Sequence, residues 1–149
     1  MRAVAQRVHS ARVEVDGAVV GRIDRGLLVY LGAADGDGEG DVDYMADKLR
    51  GLRIFQDDDG RMSRSVEDIA GGVLVVPQFT LFGDVRRGRR PSFDGAAPPE
   101  QANLLFEQVV ARLRGTSVPV ETGRFRAMMD VHAVVAGPVT IQIDSRKLY

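Results

Sequence analysis

The sequence predicts an α+β fold: many short strands and two helices packed on them. Three observations carry that prediction. Apolar residues alternate or run in short stretches along the first third and the last third of the chain, as strand sequences do. Only two segments place apolar residues at helical spacing. Pairs such as Asp16-Gly17, together with clusters of Asp, Gly and Pro, punctuate the rest.

In chain order, strands are expected over Arg2 to Val8 and Arg12 to Val15, followed by a turn at Asp16-Gly17 and a return strand from Ala18 to Ile23. The run Leu27 to Leu31 is apolar throughout and reads as a buried strand. Asp41 is positioned to cap a helix whose Val42, Met45, Ala46 and Leu49 form one apolar stripe, with an end near Gly51. Arg53 to Phe55 reads as a strand closed by the turn Asp57-Asp58-Asp59-Gly60. Val73 to Leu81 is a strand running into Pro77-Gln78-Phe79-Thr80-Leu81. Pro98-Pro99-Glu100 opens a second helix, where Pro is tolerated in the first turn, and Ala102, Leu105, Phe106, Val109 and Leu113 make its buried face before Gly115. Strands over Val118 to Glu121, Met129 to Val135 and Val139 to Asp144 finish the chain, the last two separated by Ala136-Gly137-Pro138.

The length of 149 residues fits one domain over residues 1–149, large enough to bury a core without disulfides or metals. Charged residues at 28% and hydrophobic ones at 44% are close to ordinary globular usage and suggest neither disorder nor a fibrous repeat. The absence of cysteine excludes disulfides, thiolate zinc sites and cysteine nucleophiles. The opening MRAVAQRVHSARVEV lacks the apolar core of a signal peptide, and no stretch approaches the roughly 18 apolar residues of a membrane span. The expectation is a cytoplasmic protein with no membrane partner. A net charge of −1 is not that of a globally basic RNA binder, so any RNA contact must come from a local patch.

Such a patch exists. Arg86, Arg87, Arg89 and Arg90 surround Gly88 and place four guanidinium groups in five positions, which suits phosphate binding as well as a plain solvated loop. Other candidates are poorer. His9 and His132 are the only histidines and sit in no ligand or nucleophile motif. Asp35, Asp37 and Glu39 mimic half of a calcium loop, but Ala46 stands at the twelfth position where a bidentate Glu is required, so a solvated loop is expected. No metal and no cofactor are expected. Asp57, Asp58 and Asp59 look like an exposed turn rather than an acid/base pair. Thr80 ends an apolar strand where its hydroxyl can face a cleft, although a lone Thr without a base is a poor nucleophile.

The segments GGVLVVPQFTLFGDVRRGRRPSF, TGRFRAMMDV and AGPVTIQID, with the opening MRAVAQRVHSARVEVDG, closely resemble the D-aminoacyl-tRNA deacylase family, also called D-Tyr-tRNA deacylases. The likeness runs over nearly the whole chain, in order, and includes both family signatures, the Ser-Gln-Phe-Thr block and the Gly-Pro block. It implies a barrel-like mixed β structure with helices outside and a two-fold homodimer whose sites lie at the interface. It further implies hydrolysis of the ester of D-aminoacyl-tRNA, and of glycyl-tRNA, with rejection of L-aminoacyl-tRNA.

By resemblance, Gln78, Phe79 and Thr80 form the catalytic segment, while Gly137-Pro138, with its peptide bond cis, reaches across from the partner. Arg7 resembles the residue that braces that Gly-Pro segment, and Phe125 and Met129 correspond to apolar residues around the terminal adenosine. Catalysis is then expected from backbone N–H groups near Phe79 and the 2′-hydroxyl of the tRNA. The chain departs from the family pattern at Pro77, where Ser is usual, and at Val135-Ala136, where Asn-Asp is usual. The Pro-Gln start resembles a relaxed-chirality branch that clears L-alanine from tRNA. A dimer that binds tRNA without hydrolysis is the other alternative.

Overall fold

The computed structural model describes residues 1–148. β1 (Arg2–Val15) turns through Asp16 and Gly17, both at positive φ (50° and 77°), into β2 (Ala18–Ile23), as two-residue hairpin turns require. β3 (Gly26–Gly32), α1 (Glu39–Gly51), the short hairpin β4 (Phe55–Gln56) and β5 (Met62–Arg64), and β6 (Gly72–Pro77) follow. A 3-10 turn (Phe79–Phe82) leads by a long loop to α2 (Pro99–Arg114), β7 (Val120–Thr122) and β8 (Asp130–Asp144).

The main sheet runs β2-β1-β3-β6-β7, with β8 along the other side of β1. β3, β6 and β7 are mutually parallel neighbours; the other pairings are antiparallel. β7 curls back toward β2 until a Cβ built on Gly21 would lie 2.5 Å from the Thr122 carbonyl, so the mixed sheet nearly closes into a barrel. Among the described residues no helix is long and apolar enough to cross a membrane.

The strands have two apolar faces because both sides of the sheet are covered. Leu27, Val29 and Leu31 of β3 and Val73 and Val75 of β6 pack against Val42, Met45 and Leu49 of α1 and Leu105, Phe106, Val109 and Leu113 of α2. The alternate residues, Leu28 and Leu74 with Val76, face the barrel interior beside Val8, Ala11, Val13 and Ile23. Full burial of each such Leu or Phe contributes roughly 1.5–3 kcal/mol, which is why these runs read as continuously apolar.

Several boundaries differ from the sequence expectation, each for a physical reason. β1 is one strand rather than two, bent by register shifts between Gln6 and Val8 and between Val8 and Ser10. At the first shift Arg7 alone faces the four residues between Val135 and Thr140 of β8, so β8 continues past Ala136-Gly137-Pro138 as one bulged strand. β6 ends at Pro77, which has no N–H to continue a ladder, and Phe79 to Leu81 belong to the 3-10 turn. β5 completes a hairpin around the Asp57 turn, where the Asp57 carboxylate accepts N–H bonds from Asp59 and Arg61 at 2.9 Å each. α1 begins at Glu39, and Asp41 serves its first turn from inside by accepting the Gly38 N–H at 2.9 Å.

In the acidic segment leading into α1, Asp35 and Glu39 are exposed as a solvated loop requires, but Asp37 departs from that expectation. Asp37 is buried, its carboxylate 2.7 Å from the Met1 ammonium and 3.0 Å from Arg146 Nη2, and it accepts the Ala34 N–H at 2.6 Å. A charge so withdrawn from water persists only when paired and hydrogen-bonded.

Candidate functional site

The site grows from the end of β6. Gln78 donates its N–H to the Leu31 carbonyl at 2.8 Å, after which the chain leaves the sheet and winds into the 3-10 turn. The leading N–H groups of such a turn have no partner within it. Those of Phe79 and Thr80 find no acceptor among the described residues. The approach of β3 depends on Gly32, where any Cβ would lie 2.6 Å from the Gln78 carbonyl and 3.0 Å from the Phe82 ring.

Beside this turn opens a cavity of about 290 Å³, walled by Leu31, Pro77, Phe79, Ala97, Phe106 and Phe125. Its polar side chains are Gln78 and Arg126; no His, Asp or Glu is in the lining. Phe79 is 57% exposed at the rim and meets Phe93 edge-on, centroids 5.1 Å apart. Gln78 Nε2 donates to Thr80 Oγ1, fixing the hydroxyl beside the free N–H groups. The arrangement can accept a flat apolar ring and offer main-chain donors to a developing oxyanion. It holds no side-chain general base.

Phe125 enters the lining from a turn after β7, closed by the Ala127 N–H to the Arg124 carbonyl at 3.3 Å, with Arg126 at φ 61°. Met129 lies outside the lining. Its Sδ accepts the Arg124 N–H at 3.4 Å and its side chain packs against the barrel interior, so it holds the turn from behind.

Gly137 and Pro138 are exposed, joined by a cis peptide bond, and absent from the lining of their own chain's cavity. Arg7 holds the segment from within: Nε donates to the Ala136 carbonyl at 3.2 Å and Nη1 to the Ile54 carbonyl at 2.7 Å. Gly137 has φ 120°, and a Cβ there would strike the Arg7 guanidinium at 2.8 Å.

The arginine loop is pinned at its base by paired backbone bonds between Asp84 and Ser92 of 2.8 and 3.0 Å, and Phe93 anchors it against Phe79. The arginines are not equivalent. Arg86 is committed to Asp84 at distances of 2.6 to 3.0 Å, and its guanidinium pulls the Asp84 carboxyl down to about 2. Arg87, Arg89 and Arg90 have no ion-pair partner among the described residues.

His132 sits apart, 3.5 Å from Glu14, in a polar cleft with Arg12, Arg22 and Asp24. Sequence reasoning singled out Gln78, Phe79 and Phe125, which the fold brings together, with Thr80 adjoining. It did not single out Arg126, Phe93 or Phe106; an apolar helix face gave no sign that Phe106 would line a cavity.

The chain matches the family model described as D-Tyr-tRNA(Tyr) deacylase over residues 4–144. It is 57% identical over 149 residues to the D-aminoacyl-tRNA deacylase of Thermotoga petrophila, covering 100% of each chain. It is 56% identical over 147 residues to that of Desulfitobacterium hafniense, covering 99% of each. Among solved structures it resembles a c-Myc DNA unwinding element binding protein, with 39% identity, a TM-score of 0.92, and coverage of 97% of this chain and 98% of the other.

Proposed function

The chain belongs to the D-Tyr-tRNA(Tyr) deacylase family and is a hydrolase of the D-aminoacyl-tRNA ester, and from that premise we propose how the site performs the reaction. Two copies pair, and the Gly137-Pro138 segment of each enters the cavity of the other. The observation that carries this reading is the position of that segment: exposed, braced by Arg7, and outside its own chain's cavity.

The terminal adenosine occupies the apolar slot between Phe79 and Phe125, which leaves the ester beside Gln78 and Thr80. D and L substrates carry identical groups and differ only in the direction of the side chain from Cα. A hydrophobic pocket gains only about 1–3 kcal/mol per methylene and could not sort chirality across many side chains. A rigid main-chain wall at Gly137-Pro138 does so for all of them: it blocks an L side chain, lets a D side chain point outward, and admits glycine, which has none. Glycine mischarged on alanine tRNA is therefore also a substrate.

Hydrolysis proceeds without a protein base. The free N–H groups of Phe79 and Thr80 stabilise the oxyanion, and the 2′-hydroxyl of the tRNA assists the attacking water. Thr80 orients and does not attack. Arg87, Arg89 and Arg90, next to the cavity through the packing of Phe93 on Phe79, meet the phosphates of the acceptor end, while Arg86 shapes their loop. The protein acts in the cytoplasm.

The test is the release rate of D-Tyr, L-Tyr and Gly from tRNA by the purified protein. Fast loss of D-Tyr and Gly with L-Tyr untouched supports the wall. Because Pro77 lines the cavity, release of L-Ala is measured alongside, and rapid L-Ala hydrolysis would replace strict chirality with the relaxed reading.

A further inference from the structure

Arg126 combines three properties. It lines the cavity, it is exposed, and it has no ion-pair partner among the described residues. It also takes φ 61°, the left-handed region that a bulky residue enters only at a cost. That backbone closes the turn from Arg124 to Ala127 and brings the aromatic ring of Phe125 and the guanidinium of Arg126 to one cavity. Residues held in sparsely populated backbone regions cluster at ligand sites.

We propose that Arg126 is a substrate-binding residue that clasps the phosphodiester on the 5′ side of the terminal nucleoside. The assignment rests on the reading of the cavity as the adenosine slot. Among the lining side chains Arg126 is the one cation, and the walls around it are otherwise apolar apart from Gln78. A ligand that inserts a flat apolar ring and carries an anion on the solvent side matches this distribution, and a nucleotide has that form. The other end of the substrate is excluded as the partner of Arg126, because the α-amino group of an aminoacyl ester is cationic and would be repelled. Two N–H donors of a guanidinium match two phosphate oxygens, which a single ammonium does not reproduce.

The test uses two non-hydrolysable probes, the 3′-amide of D-tyrosine with aminoadenosine, with and without a 5′-phosphate. The variant is Arg126→Gly, since glycine adopts φ 61° freely and the turn survives. The wild-type protein should bind the phosphorylated probe on the order of tenfold more tightly than the other. Arg126→Gly should abolish that preference while it still binds the unphosphorylated probe and keeps its fold by melting temperature; Arg126→Lys should restore part of it. If both probes bind the wild type equally, or Arg126→Gly keeps the preference or loses both probes alike, the phosphate assignment is overturned with the slot intact. If neither probe binds the wild type while D-Tyr-tRNA is hydrolysed, the slot reading itself falls, and the role of Arg126 with it.

Discussion

The guanidinium of Arg7 reaches the carbonyl of Ala136 at 3.2 Å, from the position where β1 has a single residue against four of β8. Arg7 is thus the residue opposite the bulge that carries Gly137-Pro138, and it also ties this bulge to the Ile54 carbonyl ahead of β4. Arg7→Ala releases both carbonyls. The expected result is a loss of roughly 100-fold in kcat/KM on D-Tyr-tRNA, the scale of an ångström-level misplacement, with a narrower gap between D and L substrates. Arg7→Lys recovers little, because one ammonium does not replace a fork that bonds two carbonyls. Parallel D-Tyr and L-Tyr release assays decide it; an Arg7→Ala enzyme with full rate and full discrimination would dispose of the brace.

Thr80 accepts from Gln78 Nε2, and no His, Asp or Glu lines the adjacent cavity to take its proton. A hydroxyl without a base is a weak nucleophile at neutral pH. Thr80→Ala should keep single-turnover hydrolysis within about tenfold of wild type, the order of one lost orienting hydrogen bond. Complete loss of chemistry with substrate still bound would make Thr80 the attacking group.

What the sequence made legible follows from the range of the interactions involved. The apolar periods of β3, β6, α1 and α2 are local, so Leu27 to Leu31 and Leu105 to Leu113 could be placed in the core directly. Asp37 could not, because its partners are Met1 and Arg146 at opposite ends of the chain. The continuity of β1 was equally hidden: a two-residue phase change looks like a strand break, whereas it is a pair of bulges. Gln78 and Phe79, which line the cavity, and Gly137-Pro138, which does not, were singled out by resemblance and not by periodicity. Arg126 stayed invisible because its conformation depends on a turn that propensity would give to glycine.

Removal of Asp37 should be costly. It lies buried beside the Met1 ammonium, which is buried as well and would keep only Asp41, at 3.9 Å, as a counter-charge. Arg146, by contrast, is half exposed and can turn to water. Asp37→Ala should lose about 3–5 kcal/mol of stability, measured by urea unfolding. A loss below about 1 kcal/mol, the value for an exposed pair, would show that the pair is solvated in solution.

The Asp84 carboxyl is depressed to about 2, first by the side-chain bonds from Arg86 and then by the Arg86 N–H. A folded pKa below the unfolded one means that the contribution of the pair is present above the ordinary carboxylate range and fades as pH falls through about 2. Across the neutral range the loop therefore keeps its form. Carbon-detected NMR titration should find the Asp84 midpoint near 2, and Arg86→Ala should move it up toward the ordinary value of about 3.9. Replacing Arg87, Arg89 and Arg90 together should instead flatten the salt dependence of tRNA binding by roughly 2 in log–log slope, at about 0.7 for each phosphate no longer neutralised. An unshifted Asp84 or an unchanged slope would contradict the division of labour within the loop.

Because Gly137 and Pro138 lie outside the cavity of their own chain, the proposed pairing makes a prediction that no single-chain site shares. A variant damaged in the cavity, Phe79→Ala, and a variant damaged in the wall, Gly137→Val, should each lose most activity as pure preparations. The second substitution drives a Cβ into Arg7 and displaces the segment. Co-refolded in equal amounts, half of the paired molecules are mixed, and each mixed pair combines one intact cavity with one intact wall. The mixture should recover about a quarter of the wild-type rate, the value expected for random pairing of two symmetric sites. Recovery requires that wall and cavity come from different chains. If they came from the same chain, each mixed pair would hold only damaged sites and co-refolding would recover nothing.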